Sequence, residues 1–385
     1  MTIDMKRISC LICALLLIQP CVRAQRSEAL IRVTNESGLE RRSETVEVPL
    51  AALGGPAGPG TVFAVSPAGG EGGGVITQET EGLLLFQADF LPHSVREFRV
   101  RRVDQPGAPA RPLVDGRYVL PREDYAWEND RIAFRMYGPA LAAEVNNGID
   151  VWTKRVRSLV VAKWYAEAEN SPPGHDPYHQ DRGEGADFFD VGRSLGAGAC
   201  ALWSNGRVHQ PGVFSSWKTL ANGPLRVEFE LTYAPVGTEK GPVTERMRVS
   251  LDAGHNLNRI SVTFTSPAPG ESLRVAWGLV RRSGVSLARG DCWMGLWGAT
   301  NRDTVNGSLG TGVVLLPGTC GGTAEDSVQY LLTGCVRSGE PLVYEAGAGW
   351  TRSGDFSSQK EWDAYLAARA GALASPLRVS VGALR

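Results

Sequence analysis

Along most of this chain apolar and polar residues alternate with a period of two, in short runs cut by glycine and proline. The clearest run is 225–233, where Leu225, Val227, Phe229, Leu231 and Tyr233 share one face. A strand buried on one side produces this pattern, because successive side chains point to opposite faces. Met247, Val249 and Leu251 repeat it in 244–251, and comparable runs stand at 260–264, 273–280, 312–316 and 328–332. Shorter strands are expected at 31–33, 45–48, 83–86 and 95–103, around a Gly/Pro stretch at 54–60 that cannot be helical. The spacing predicts one helix. Ser358 and Glu361 form a capping box, Trp362, Tyr365, Leu366 and Arg369 recur at helical intervals, and Gly371 supplies a stop. So many strands at short intervals predict an all-β protein built as a sandwich of two large sheets.

The ends and joints of the chain divide it further. Lys6 and Arg7 precede an apolar run at 8–18 that is short for a membrane span, and Val22-Arg23-Ala24 offers a cleavage site. A secretory signal is therefore expected over 1–24, with plain export favoured over lipid attachment at Cys21. No second long apolar segment follows, so a secreted or periplasmic protein with no membrane association after cleavage is expected. Prolines 106, 109 and 112 mark an exposed connection, which separates an N-terminal β region (25–112) from a large β-sandwich (113–385). Forty Lys and Arg against 41 Asp and Glu leave no basic stripe, so nucleic acid is not an expected partner. Outside the signal stand Cys200, Cys292, Cys320 and Cys335, an even number that permits two disulfides in three pairings and is equally compatible with free thiols.

Candidate chemistry gathers in one loop and its neighbours. After the breaker run Ser171-Pro172-Pro173-Gly174 comes a ten-residue stretch carrying Tyr178, His179, Asp181, Glu184 and Asp187. Around it in sequence lie Arg131, Arg135 and Tyr137; Trp152, Lys154 and Arg155; Lys163, Trp164 and Tyr165; Trp217 and Lys218; and Trp350 to Asp355. Aromatics interleaved with charged groups suit carbohydrate, since rings stack on sugar faces and a uronate carboxylate fits a bidentate arginine. Each group also has a bland reading: tryptophans in the core, basic side chains extended to solvent, a histidine held by structural hydrogen bonds. His175, His179 and Asp181 have a spacing compatible with a divalent ion, but a loop is weak support and no metal or other cofactor is expected. There is no nucleophile elbow, P-loop or dinucleotide fingerprint.

The order of motifs is specific. Tyr137-Gly138-Pro139-Ala140, residues 148–155, Lys163-Trp164-Tyr165, Tyr178-His179 to Glu184-Gly185-Ala186-Asp187, Ala221-Asn222-Gly223-Pro224 and Ala346 to Trp350 with Ser353-Gly354-Asp355-Phe356 resemble a secreted bacterial family of unknown function, numbered four-eight-six-one, found with polysaccharide-degrading enzymes. The resemblance spans roughly 124–366. It implies a galactose-mutarotase-like β-supersandwich with one C-terminal helix, and a role in breaking down uronate-containing polysaccharides. It also implies, for one branch, a dehydratase acting at the non-reducing end of ulvan-type oligosaccharides. Phe188 and Phe189 stand where tyrosine is expected to be common.

Loss of water across C4–C5 of a uronate needs a neutralised carboxylate, a base for the C5 proton and an acid for the leaving hydroxyl. The catalytic candidates are His179, Tyr178, Lys163 and Arg135. The substrate-binding candidates are Tyr137, Trp152, Lys154, Arg155, Asp181, Glu184, Asp187, Lys218, Trp350 and Asp355. A glycoside hydrolase using a pair from Asp181, Glu184 and Asp187, a mutarotase-like isomerase and a non-catalytic glycan-binding protein are the alternatives.

Overall fold

The computed structural model describes residues 28–70, 73–104, 110–172, 174–300 and 304–383; the expected signal segment and prolines 106 and 109 lie outside them. The protein is all-β, with antiparallel sheets and two helices, and no helix among the described residues is long and apolar enough to cross a membrane. The largest sheet runs in the order Phe214–Asn222, Arg226–Tyr233, Gly241–Asp252, Leu257–Thr265, Pro341–Trp350, Ser308–Leu315, Trp293–Ala299, Val285–Gly290. A five-stranded sheet (Arg207–His209, Ala197–Ser204, Ser272–Val280, Gln329–Arg337, Cys320–Glu325) shares one core with it.

The alternation read from the sequence sets the register. Leu231 faces Met247, Phe229 faces Val249 and Val227 faces Leu251, while Ile260 and Val262 continue the stripe across the next strand. All are fully buried, and each such side chain contributes about 1.5–3 kcal/mol of transfer free energy.

A third sheet positions the candidate site. Its strands run Gly185–Asp187, Asp150–Lys154, Ala133–Met136, Asp124–Asn129, Val114–Val119. Every residue of its first four strands is buried. One face packs on the sandwich core, and the other on a helix, α1 (Val161–Glu169), and a loop. Helix α1 is absent from the sequence expectation, and its cap explains why. Val160, at its start, has no capping side chain; the Glu128 carboxylate, from another strand, accepts hydrogen bonds from Val160 N at 2.8 and 3.0 Å and Val161 N at 2.7 Å. The start signal is therefore tertiary.

The expected C-terminal helix, α2 (Gln359–Ala374), begins as predicted, with Ser358 Oγ accepting from Glu361 N. It lies close on the large sheet because the sheet offers glycines beneath it: a Cβ on Gly312 would sit 2.5 Å from Leu366. Gly371 does not stop the helix, which continues to Ala374; the glycine instead makes room for Leu39, 2.6 Å from where its Cβ would be.

The N-terminal region is a smaller sandwich. Arg41–Pro49, Leu83–Phe90 and Thr77–Thr80 form one sheet, and Glu28–Asn35, Ser94–Asp104 and Thr61–Pro67 belong to the other. That second sheet is completed by the last strand of the chain, Arg378–Ala383, with Val381 opposite Ile31 and Val379 opposite Val33. Cys200, Cys292, Cys320 and Cys335 are free thiols.

Candidate functional site

The loop singled out in the sequence hangs between α1 and the strand Gly185–Asp187. That short strand forms one edge of the third sheet, paired to Asp150–Lys154 with Trp152 opposite Asp187 and Lys154 opposite Gly185. Gly185 has φ of 114°, and a Cβ there would lie 2.0 Å from Thr153 O, so only glycine permits this approach. Asp187 is thereby fixed at the buried base of the loop.

Beneath the loop lies a sealed charge network. Arg135 reaches Asp150 at 2.7 Å, Asp187 at 3.1 Å and Asp124 at 3.7 Å, and donates to the Tyr137 hydroxyl at 3.1 Å. Its guanidinium also lies 4.6 Å from the centre of the Tyr137 ring and 5.0 Å from that of Trp152. One cation faces three carboxylates in a dry site, so they cannot all ionise freely. Burial raises Asp124 to about 6 against the pull of Arg135 and of the Tyr165 hydroxyl, which donates to it at 2.9 Å. Asp150 is likewise raised by burial and then by neighbouring Asp187. Burial also lifts the Tyr137 hydroxyl well above its ordinary range. Arg135 and Tyr137 therefore form the foundation of the site, and hold Asp187, rather than opening onto a ligand.

His179 sits on this foundation at the surface. Its Nδ1 is 3.5 Å from Asp187 O and 3.6 Å from the Asp187 carboxylate, and its Nε2 is 3.8 Å from Asp176. The side chain is 32% exposed, whereas Asp187 behind it is buried. Asp176 is gripped by Arg122 at 2.5 Å and 3.2 Å and receives the Tyr178 hydroxyl at 3.1 Å. Burial works to raise the Asp176 pKa, but Arg122 more than reverses it and holds the carboxyl below its usual range. Tyr178 is buried, stacked on Trp152 at 4.6 Å, and burial pushes its hydroxyl up to about 12.

The remaining loop carboxylates are engaged. Asp181 accepts from Gly183 N at 2.9 Å and Gly185 N at 3.2 Å, and pairs with Arg155 at 3.1 Å and Arg352 at 3.4 Å. Glu184 receives Lys163 at 2.8 Å and Trp164 Nε1 at 3.2 Å. Asp355 holds Arg131 at 2.7 Å and Arg157 at 2.8 Å. The partners are unequally exposed: Asp181 is 5% exposed and Asp355 11%, against 42% for Arg155 and 43% for Arg157. In these two pairs the outward-facing member is the arginine, so Arg155 and Arg157 are presented to solvent over their buried carboxylates.

Several candidates lie apart from this cluster. Lys154 is sealed in the third sheet between the Glu128 carboxylate and Asn129 O, both at 2.5 Å, and burial lowers its pKa; it balances the cap of α1. Trp152 and Trp350 are core residues, the latter donating Nε1 to Asn306 O at 2.7 Å. Lys218 sits in the outer strand of the largest sheet opposite Glu230, on the face away from buried Leu231, and has no described contact with the loop. His175 is exposed, and no three His, Cys, Asp or Glu side chains among the described residues converge as a metal would require. Arg122, Asp176, Arg157 and Arg352 enter the site without having been singled out as candidates. Only their proximity in space marks them, although Arg352 lies inside the stretch Trp350 to Asp355 and Asp176 lies between the two histidines considered for a metal.

The fold and site thus define a class: an all-β protein carrying a surface histidine backed by a buried carboxylate, on a loop braced by arginine–carboxylate pairs. The model of the family described as Domain of unknown function (DUF4861) matches residues 33–379, and the chain belongs to that family. It is also 29% identical over 401 aligned residues to a protein described as "Uncharacterized protein P7" from Formosa agariphila, covering 96% of this chain and 98% of that one.

Proposed function

We propose that this is a secreted carbohydrate-active enzyme of the galactose-mutarotase-like supersandwich type. It removes water across C4–C5 of a uronate at the non-reducing end of an oligosaccharide. The observation that carries this reading is His179, accessible at the surface and backed by buried Asp187, on a loop whose Asp181 is paired with outward-facing Arg155 and with Arg352. In the proposed reaction Arg155, Arg352 and Lys163 hold the uronate carboxylate and stabilise the charge that develops as the C5 proton leaves. Asp187 orients the imidazole, and His179 takes the C5 proton. The electron pair forms the C4=C5 bond, and the C4 hydroxyl departs with the proton that the imidazolium returns. Water is released and His179 is again neutral, so one residue serves as base and then as acid. Tyr178, stacked and hydrogen-bonded to Asp176, fixes the loop beneath it.

Elimination is favoured over hydrolysis by the state of the carboxylates. A hydrolase needs an accessible carboxylic acid of raised pKa. Asp181 and Glu184 are held below their usual range: burial works against this at Asp181 but its backbone and arginine donors prevail, and Lys163 lowers Glu184. The raised acids, Asp124 and Asp150, are sealed from solvent. Incubation with uronate-capped oligosaccharides followed by mass spectrometry tests the reading. It expects loss of one water with a new near-ultraviolet chromophore, abolished in a folded His179→Ala variant. Gain of water with cleavage would establish a hydrolase, and unchanged mass with saturable binding would establish a glycan-binding protein.

A further inference from the structure

One strand end of the third sheet, at Tyr118, carries an aromatic surface that the proposed reaction does not use. Trp217 is 42% exposed, and its ring stacks on Tyr118 at 4.9 Å with an interplanar angle of 20°. Single exposed apolar residues are common and mean little alone. This one is held rigidly, by Tyr118 on one face and by Tyr125 at 5.8 Å, and so presents a fixed flat platform. Alternation along its strand turns it toward the third sheet, the opposite side from Lys218.

The segment leading from Tyr118 to Arg122 joins this platform to the site. Four residues span at most about 14 Å of extended chain, and Arg122 is the residue that grips Asp176 beside His179. The next residue, Glu123, has φ of 58°, a left-handed conformation that is unfavourable for a residue carrying a side chain. Its carboxylate makes no hydrogen bond or ion pair with the described residues, unlike the loop carboxylates Asp176, Asp181 and Glu184. Gly138, from the Tyr137-Gly138-Pro139 motif, explains how the segment is held: a Cβ there would lie 1.8 Å from Glu123 O and 3.1 Å from the Phe214 ring. Phe214 in turn meets Tyr118 edge-on at 6.4 Å. The backbone of Glu123 and the platform are thus packed around one glycine, and burial followed by the nearby Glu123 charge raises the Tyr118 hydroxyl.

We propose that Trp217 and Glu123 form a distal subsite for an uncharged pyranose unit of the oligosaccharide whose uronate end lies at His179. The apolar face of the sugar stacks on the indole, and its hydroxyls donate to the Glu123 carboxylate. A second uronate here would meet that carboxylate as a like charge, so the subsite selects a neutral sugar next in line after an acidic one. This proposal rests on the glycan reading of the His179 site.

Calorimetry separates the two claims. Its ligands are a uronate-capped oligosaccharide with neutral inner units and the corresponding methyl uronoside. Trp217→Ala is expected to weaken oligosaccharide binding about tenfold, equivalent to 1.4 kcal/mol, and to leave methyl uronoside binding unchanged. Trp217→Phe should retain most of the affinity and Glu123→Gln should lose part of it. Glu123→Gln leaves the stacked pair intact and carries the test if Trp217→Ala does not fold. Equal oligosaccharide affinity in wild type, Trp217→Ala and Glu123→Gln overturns the subsite, as does an equal loss for both ligands. Failure of the elimination reading shows separately, as unchanged ligand mass while the binding differences persist.

Discussion

At the scale of single residues, burial decides what each ionisable group can do. Asp187 is fixed by Arg135 and faces His179, so its role is orientation. Asp187→Asn should lower kcat by roughly 10²–10⁴-fold, the range of a general acid–base contribution, with little change in KM; steady-state kinetics on the uronate substrate checks this. Glu245 lies buried in the sandwich core, and burial raises it to about 8 against the opposing pull of the neighbouring Asn147 side chain. A raised folded-state pKa means the unfolded chain releases this proton first. Stability is therefore greatest below the ordinary glutamate range and falls as pH rises toward about 8. Glu245→Gln removes that loss, on the order of a few kcal/mol at the alkaline end. Its thermal midpoint should exceed that of the wild type by a margin that widens from pH 5 to pH 8. The alternation of 225–233 was legible because one face is apolar core and the other carries Arg226, Glu228, Glu230 and Thr232, the first two paired with charged partners and the last exposed. Arg135 and Lys154 were misjudged as ligand-facing because their sheet is covered on both sides, which turns its polar face into a sealed charge network.

At the scale of elements, α1 shows how a helix can lack a local start signal. Its N-terminal amides are satisfied by Glu128, which is itself neutralised by Lys154. Glu128→Ala leaves a buried ammonium and orphaned amides, and should destabilise by about 3–5 kcal/mol. Lys154→Met in that background should recover part of the loss, and denaturant melts of the single and double variants measure both. By contrast α2 was readable, because Ser358 and Glu361 cap it locally; only its end was misplaced, since Gly371 serves packing against Leu39. The gathering of ionisable side chains at 178–187 was legible from residue types, and their candidate roles came with the motif order. Its true neighbours Arg122, Arg157 and Arg352 come from distant segments, and one-dimensional spacing carries no trace of them.

At the scale of the whole molecule, the chain closes on itself: the strand Arg378–Ala383 completes the N-terminal sheet against Glu28–Asn35. Removing residues 376–385 should expose that sheet edge and make 28–104 sensitive to limited proteolysis while the large sandwich persists. Residues 376–385 lie more than 340 positions from the strand they complete, so this closure is invisible to local pattern. In the loop cluster buried Asp181 and Asp355 hold exposed Arg155 and Arg157 toward solvent, and the proposed acidic substrate is matched to those arginines. Mass spectrometry of a uronate-capped oligosaccharide incubated with wild type and with folded His179→Ala tests the central claim most directly. The account predicts loss of one water by the wild type and none by the variant. Water loss unaffected by the substitution, or a gain of water with cleavage, would contradict it.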